Sequence, residues 1–301
     1  MLKRNLTIIL VVAASSFCYL GIKSALPYTP PLFFAAIRTF VGGTALLLLL
    51  PLNHSPIMPE RKHWRWIGIL ALLSSAVGSA SMFFAAEMTT VGIASILGNL
   101  QPLLTVILAI IFLKESMTLS KVAILSFGVL GIILISFPAL GSSSSVQTEG
   151  AIFAFGSSAI VATTNIIVKR YLERKELLRI VTWQLILGGT VLFIASFITE
   201  QWSNISFNIT FVSVIILLGV IGTGILNFTW YTIIQLEDVG KVSMYFFLVP
   251  VIGFFSGVAF NKESVEAIQI IGSVIIVVAM IFLSRIKPTP AITNREHLKV
   301  K

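Results

Sequence analysis

The chain has one cysteine in 301 residues, Cys18. No disulfide can therefore close within it, and no cysteine-based metal site can be built. Charge is equally scarce. Only 11% of the residues are charged, against about 25% in an ordinary soluble domain, so there is too little polar surface to coat a water-soluble globule. The three histidines, His54, His63 and His297, lie in polar segments without metal-ligand spacing, and no metal site is expected. No glycine-rich loop of the phosphate-cradling kind occurs, which argues against ATP-driven work by this chain. No nucleophile with a nearby base is evident, so no catalytic residue is assigned, no cofactor is implied and an enzyme is not expected. The net charge of +9 does not point to nucleic acid, because the basic residues are dispersed between apolar runs.

What fills the chain instead is apolar sequence, 56% of it. Runs near the roughly 20 residues needed to cross a bilayer fall at 6–23, 31–50, 65–86, 92–113, 119–137, 150–168, 180–199, 210–233, 240–260 and 266–284. The expected fold is an all-α integral membrane protein of ten transmembrane helices. Very short linkers such as Glu87 to Gly92 force neighbouring spans to be antiparallel. With the N-terminus inside, 18 of the 21 Lys and Arg residues fall in inner segments; Lys23 and Lys262 lie outside and Arg38 within a span. The positive-inside rule thus predicts a multi-pass protein of the inner membrane with both termini cytoplasmic. The Gly/Ser-rich segment 138–149 reads as an outer linker between residues 1–137 and 150–284, and 285–301 as a disordered cytoplasmic tail.

The two halves repeat each other. Residues 91–116 and 239–264 align without a gap and share nine of 26 residues, including Pro102 with Pro250 and the endings Lys114-Glu115-Ser116 and Lys262-Glu263-Ser264. Gly42-Gly43-Thr44 recurs at Gly188-Gly189-Thr190, and Lys23 at Lys169. Five spans per copy, an odd number, insert the second copy upside down, giving two inverted five-helix repeats of the kind secondary transporters use for alternating access.

The proline-centred fourth and ninth spans ending in "LKES" and "NKES", with the arginine of "FAAIRTF", resemble the ten-helix EamA-type exporters of the drug/metabolite transporter superfamily. The resemblance covers nearly the whole chain. It implies a central cavity lined by spans 1, 3, 4, 6, 8 and 9 and efflux of amino acids or related metabolites. Members often carry a Trp-Gly pair upstream of the first-span lysine; here that position holds Ser15 and Ser16, so no aromatic contact is carried over from it.

Polar side chains at membrane depth are costly without a partner and tend to face the bundle interior. Ser95, Asn99 and Pro102 share one face of span 4 by their spacing, which makes Ser95 and Asn99 candidate substrate contacts. In span 8, Asn227 stands beside Trp230 and Tyr231, a set suited to amphipathic solutes. Tyr19, Asn165 and Tyr245 from spans 1, 6 and 9 complete the candidate lining. Pro102 and Pro250 should bend their helices near mid-span, freeing the carbonyls of Gly98 and Phe246. Arg38 reads as a structural anchor and Trp183 with Gln184 as an interfacial belt. The midspan regions lack carboxylates, so any coupling group is sought at Glu87 near the outer face. The small-residue stretches Ser74–Ser81 and Gly219–Gly224 read as packing surfaces. In the Lys-Glu-Ser endings, the lysine should complement a helix C-terminus and the glutamate the N-terminus that follows. A small-molecule substrate and the lipid bilayer are the expected partners, and the lipid-facing spans leave room for a homodimer. An uncoupled facilitator or channel remains the main alternative, ahead of a membrane enzyme or sensor.

Overall fold

The computed structural model describes residues 2–52, 56–88, 96–140, 148–261 and 266–286. They form ten helical units. α1 is Leu2–Ala25, α2 Pro31–Leu52, and α3 runs through Trp64–Leu70, Ala71–Gly78 and Ser79–Met88. α4 is Gln101–Leu113, preceded by a helical turn at 96–98; α5 is Leu119–Leu140, α6 Thr148–Tyr171 and α7 Leu177–Thr199. α8 comprises Ile209–Leu217, Leu218–Ile225 and Leu226–Leu236; α9 comprises Val239–Met244, Tyr245–Phe247 and Leu248–Asn261; α10 is Ala267–Arg285. Among the described residues, nine helical stretches are long and apolar enough to cross a membrane, and α1 carries a shorter apolar stretch, Asn5–Cys18. The protein is an all-helical, multi-pass membrane protein.

The internal duplication is written into the packing of the glycine pairs. A Cβ on Gly43 of α2 would lie 2.8 Å from Ile186 of α7, and one on Gly189 of α7 would lie 3.2 Å from Phe40 of α2. Gly43 and Gly189 are equivalent positions, as are Phe40 and Ile186, so α2 and α7 meet across a pseudo-twofold relation. The first glycine of each pair faces elsewhere. A Cβ on Gly42 would come within 2.7 Å of the Gly219 carbonyl in α8, and one on Gly188 within 2.3 Å of Ser75 Cβ in α3.

Those partners lie in the two small-residue stretches, and both are π-helical: Ala71–Gly78 in α3 and Leu218–Ile225 in α8. A π turn widens the helix and moves backbone off the i→i+4 ladder. The Thr223 hydroxyl donates to the Leu218 carbonyl five residues back, at 3.0 Å. Close glycine approach against these segments lets α2 seat on α8, and α7 on α3, at backbone contact distance. α5 and α10 form a third tight pair, in which a Cβ on Gly131 would lie 2.9 Å from the Gly272 carbonyl and one on Gly272 2.8 Å from the Gly131 carbonyl. The remaining helices, α1, α3, α4, α6, α8 and α9, contact one another around the centre of the bundle.

Candidate functional site

The helices of Pro102 and Pro250 both change their winding shortly before the proline, at 99–100 in α4 and at 245–247 in α9. In α4 the helical turn 96–98 gives way to a turn at Asn99 and Leu100 before the helix restarts at Gln101. In α9 a tighter 3-10 turn, Tyr245–Phe247, precedes the restart at Leu248. Pro102 therefore stands in the first turn of a new helical segment, where its missing N–H is not required. The carbonyl it frees does need a donor, and it has one: the Ser158 hydroxyl of α6 lies 2.7 Å from the Gly98 oxygen and 2.8 Å from that of Leu97. Apart from its chain neighbours and nearby helix backbone, no described atom lies within 4 Å of the place a Cβ on Gly98 would take. Discontinuous helices with such bared backbone are tolerated at membrane depth beside protein or a cavity, and they mark the binding sites of many transporters.

Next to these breaks the structure assembles one polar network from three helices. Asn165 of α6 is buried; its Oδ1 accepts the Trp230 indole N–H of α8 at 3.0 Å and its amide nitrogen faces Thr105 Oγ1 of α4 at 3.4 Å. Trp230 in turn meets Phe246 of the α9 turn edge-on, with ring centroids 4.8 Å apart. An amide, an indole and an aromatic edge thus converge where α4, α6, α8 and α9 meet. Tyr245 is buried within the α9 turn, and Asn99 is half-buried at the α4 break. Asn227 donates to the Thr223 carbonyl of its own helix at 2.7 Å.

Tyr231 belongs to a different group. It is 2% exposed and its hydroxyl accepts from Gln184 at 3.1 Å, while Gln184 also donates to Ser75 Oγ at 3.2 Å. This corrects the interfacial reading of Gln184: it is 1% exposed and joins α7 to the π segment of α3 and to α8. Trp183, one residue earlier, is half-buried, donating to the Ile57 carbonyl at 2.9 Å and packing against Trp64. Arg38, the positional equivalent of Gln184, is half-buried with its guanidinium carbon 5.8 Å from the Phe83 ring centroid. Ser15 and Ser16, at the Trp-Gly position, turn back on their own helix, donating to the Val11 and Val12 carbonyls. Ser95 lies outside the described residues, and so do the side chains of Tyr19 and Glu87.

At the end where the lysines and arginines gather, the helix termini are bound to one another. Lys169 donates to the carbonyls of Ile234, Gln235 and Glu237 at 3.0, 3.2 and 2.9 Å, closing the C-terminus of α8. Gln235 reaches back to the Val168 and Leu172 carbonyls of α6, and Arg170 donates to the Phe112 carbonyl of α4 at 2.9 Å. Lys121 donates to the Ser116 carbonyl and pairs with Asp238 at 3.7 Å, both side chains buried. The Glu115 carboxylate accepts from Val239 N–H at 2.7 Å and Gly240 N–H at 3.0 Å, the first two donors of α9. Burial pushes the Glu115 carboxyl up; the two N–H groups and Lys121 pull it down, and Asp238 adds to the rise.

This geometry overturns the reading of Glu115 as a complement to the next helix in its own repeat. α5 is entered instead through Thr118, whose side-chain oxygen accepts from Lys121 N–H at 3.3 Å. The reason is the turn between them. Lys114 adopts φ 55°, ψ 34° at the end of α4, with its N–H on the Ala109 carbonyl, and this left-handed residue swings Glu115 toward the opposite repeat. On the solvent side, Lys62 bridges Glu60 at 3.1 Å and Glu173 at 2.6 Å, and Lys175 stands 3.3 Å from Glu173. Lys62 holds the Glu60 and Glu173 carboxyls below the usual range.

The opposite end mirrors this use of a carboxylate. Glu200, just past α7, accepts from Leu32 and Phe33 N–H of α2 at 2.8 and 2.9 Å and from Ser196 at 2.7 Å. A groove of about 640 Å³ opens beside it between α2, α3 and α7, lined by apolar side chains such as Val77, Phe84 and Val191. Its one carboxylate, Glu200, is engaged by α2 and Ser196.

Ten helices in two interlocked halves, with paired helix breaks at their centre, define a membrane transporter fold. The sequence profile of the EamA-like transporter family matches twice, over residues 2–137 and 148–285, and the chain belongs to that family. It is 29% identical over 259 residues to the transporter YvbV of Bacillus subtilis, covering 86% of this chain and 84% of YvbV. It is 25% identical over 265 residues to the protein PecM of Dickeya dadantii, covering 87% of this chain and 85% of PecM. A solved crystal structure, 16% identical, superposes with a TM-score of 0.79 over 94% of this chain and 97% of its own, and shares the fold.

The residues that sequence reasoning missed are Ser158, Phe246, Gln184 as a core contact and Glu115 as an inter-repeat contact. Two of them left a signal. The carbonyl freed by Pro102 called for a donor on a neighbouring helix, and Gln184 occupies the position equivalent to Arg38.

Proposed function

We propose that the protein is a secondary transporter that exports small organic metabolites, amino acids or related amphipathic compounds, across a bacterial inner membrane by alternating access. In this reading it performs no catalysis, and the basic end of the bundle with both chain termini is cytoplasmic, as the distribution of Lys and Arg supports. The observation that carries the reading is the pair of helix breaks, Asn99–Leu100 in α4 and Tyr245–Phe247 in α9. Each falls shortly before the repeated proline, Pro102 or Pro250, beside the Asn165–Trp230–Phe246 cluster. An amide donor and acceptor beside aromatic edges suits a solute with both polar and apolar parts. Asn99, Asn165, Trp230 and Tyr245 are the assigned contacts.

The test is counterflow with purified protein in liposomes, screened against amino acids and amphipathic amines. Exchange that saturates with solute concentration is the expected result. Flux that rises without saturation would instead identify a channel, and no flux for any solute in the panel would defeat the assignment of substrate class.

A further inference from the structure

At the basic end, the Glu115 carboxylate crosses between the repeats and ends on backbone N–H groups. It leaves α4 of the first repeat and takes the two leading N–H groups of α9 in the second, Val239 at 2.7 Å and Gly240 at 3.0 Å. Those donors have no partner within their own helix, and the N-terminal end of a helix attracts a carboxylate. The contact is close: a Cβ on Gly240 would lie 3.0 Å from Glu115 Oε2 and 3.5 Å from Val106 of α4, so glycine is what permits the carboxylate to sit against the backbone. Around it stand Lys121 of α5, Asp238 of the α8–α9 turn and Lys169 of α6. Other polar ties at this end run from lysine, arginine or glutamine side chains to carbonyls, or between charges, as in Lys121 with Asp238 and Lys62 with Glu173. Glu115 ties the end of α4 to the start of α9, where Val106 of α4 also stands close to Gly240. The sequence repeats this set as Glu263 with Val91 and Gly92, positions outside the described residues.

We propose that Glu115 is the latch that holds the basic face of the transporter closed, and that release of its two bonds to the start of α9 is the event that opens that face. The proposal rests on the alternating-access reading above. It goes beyond a packing role, because a latch must shift a conformational equilibrium when either partner is removed, and removing the second partner must then add nothing.

Each side of the latch has a clean variant. Glu115→Ala removes the acceptor. Val239→Pro removes one donor at the first helical position, where proline is tolerated and where the preceding Asp238, at φ −61° and ψ 119°, already has the extended backbone that a following proline demands. Nitroxide labels on cysteines replacing the exposed Leu119 and Leu236, in a Cys18→Ala background, report the separation of the two halves at this end by pulsed electron resonance in nanodiscs. No substrate is needed, so failure of this proposal is distinguishable from failure of the transport reading, which counterflow tests alone.

The unsubstituted latch should give one dominant short distance. Glu115→Ala should raise the ratio of long to short distances by roughly tenfold, the scale of a charge-assisted hydrogen bond. Val239→Pro should shift it in the same direction, and the double variant should match Glu115→Ala rather than multiply the two effects. An unchanged distance in Glu115→Ala, or multiplicative effects in the double variant, overturns the proposal. Should Glu115→Ala fail to fold, Val239→Pro alone decides: a retained short distance there overturns it.

Discussion

The Trp230 indole donates its N–H to the Asn165 amide oxygen across 3.0 Å, tying α8 to α6 beside the turn of α9. Both groups are buried, so removal of either leaves the other without its partner, and a buried polar group left unsatisfied costs about 1–3 kcal/mol. The bond also fixes which way the amide faces, and hence which edge it offers to a solute.

Trp230→Phe keeps an aromatic ring against Phe246 and deletes only the N–H. The folded protein should persist in detergent, with a melting temperature lower by a few degrees. Saturable counterflow should fall roughly tenfold, the equivalent of about 1.4 kcal/mol. Unchanged counterflow would remove the Asn165–Trp230 pair from the site.

Ser158→Ala withdraws the donor shared by the Leu97 and Gly98 carbonyls. The expected loss is about 1 kcal/mol, the usual scale of an interhelical hydrogen bond in a membrane. Ser158→Thr, which keeps a hydroxyl, should recover most of it. Thermal melts of the purified protein distinguish the two.

The glycine pairs make opposite predictions from Gly98. Gly188→Ala sets a methyl 2.3 Å from Ser75 Cβ, and Gly42→Ala sets one 2.7 Å from the Gly219 carbonyl. Overpacking of this kind costs about 1–3 kcal/mol, so both variants should melt earlier. Apart from its chain neighbours and nearby helix backbone, Gly98→Ala meets no described atom within 4 Å and should melt like the parent. If a bulkier Gly98→Phe abolishes counterflow while the fold holds, the open space there is on the substrate path.

The exposed charges Glu60, Lys62, Glu173 and Lys175 give a pH dependence with a definite sign. Lys62 lowers the Glu60 and Glu173 carboxyls below the ordinary value of 4.5. A depressed carboxyl contributes stability that is present above its unfolded pKa and is lost as pH falls through the folded one. Melting temperature should therefore drop below about pH 4.5 more steeply in the parent than in Lys62→Ala. Because these groups face solvent, the difference should vanish in about 1 M salt.

Orientation is checked at Ser143, in the linker. A cysteine there, in a Cys18-free background, should react with an impermeant thiol reagent added outside intact cells. Protection would reverse the assignment of the basic end to the cytoplasm.

Much of the fold could be read along the chain because it follows from local quantities. Apolar run length is set by the thickness of the bilayer, and helix is the form that satisfies every backbone group within one segment. The ten runs, the matching prolines and the recurring glycine pairs are all visible in that way. The π segments were not, since the residues of Ala71–Gly78 and Leu218–Ile225 read simply as small. Gly188 and Gly42 press against these segments from helices more than a hundred residues away, a contact that no local pattern displays.

The candidate site divides in the same manner. Residue type singled out Asn165, Trp230 and Tyr231, but not which of them would meet, nor that Gln184 would join one of them. Adjacent positions on a helix point in directions about 100° apart, so Trp230 turns to Asn165 while Tyr231 turns to Gln184. Glu115 shows the limit most plainly. Its charge and its place in a turn were set by sequence alone, yet the left-handed backbone at Lys114 and the approach of α9 decided which helix the carboxylate holds. Composition and periodicity determine that this chain enters a membrane as two inverted sets of helices, because burial in lipid acts on each segment separately. Which polar groups become partners was left to the tertiary structure, because hydrogen bonds form over about 3 Å and only packing brings distant segments that near.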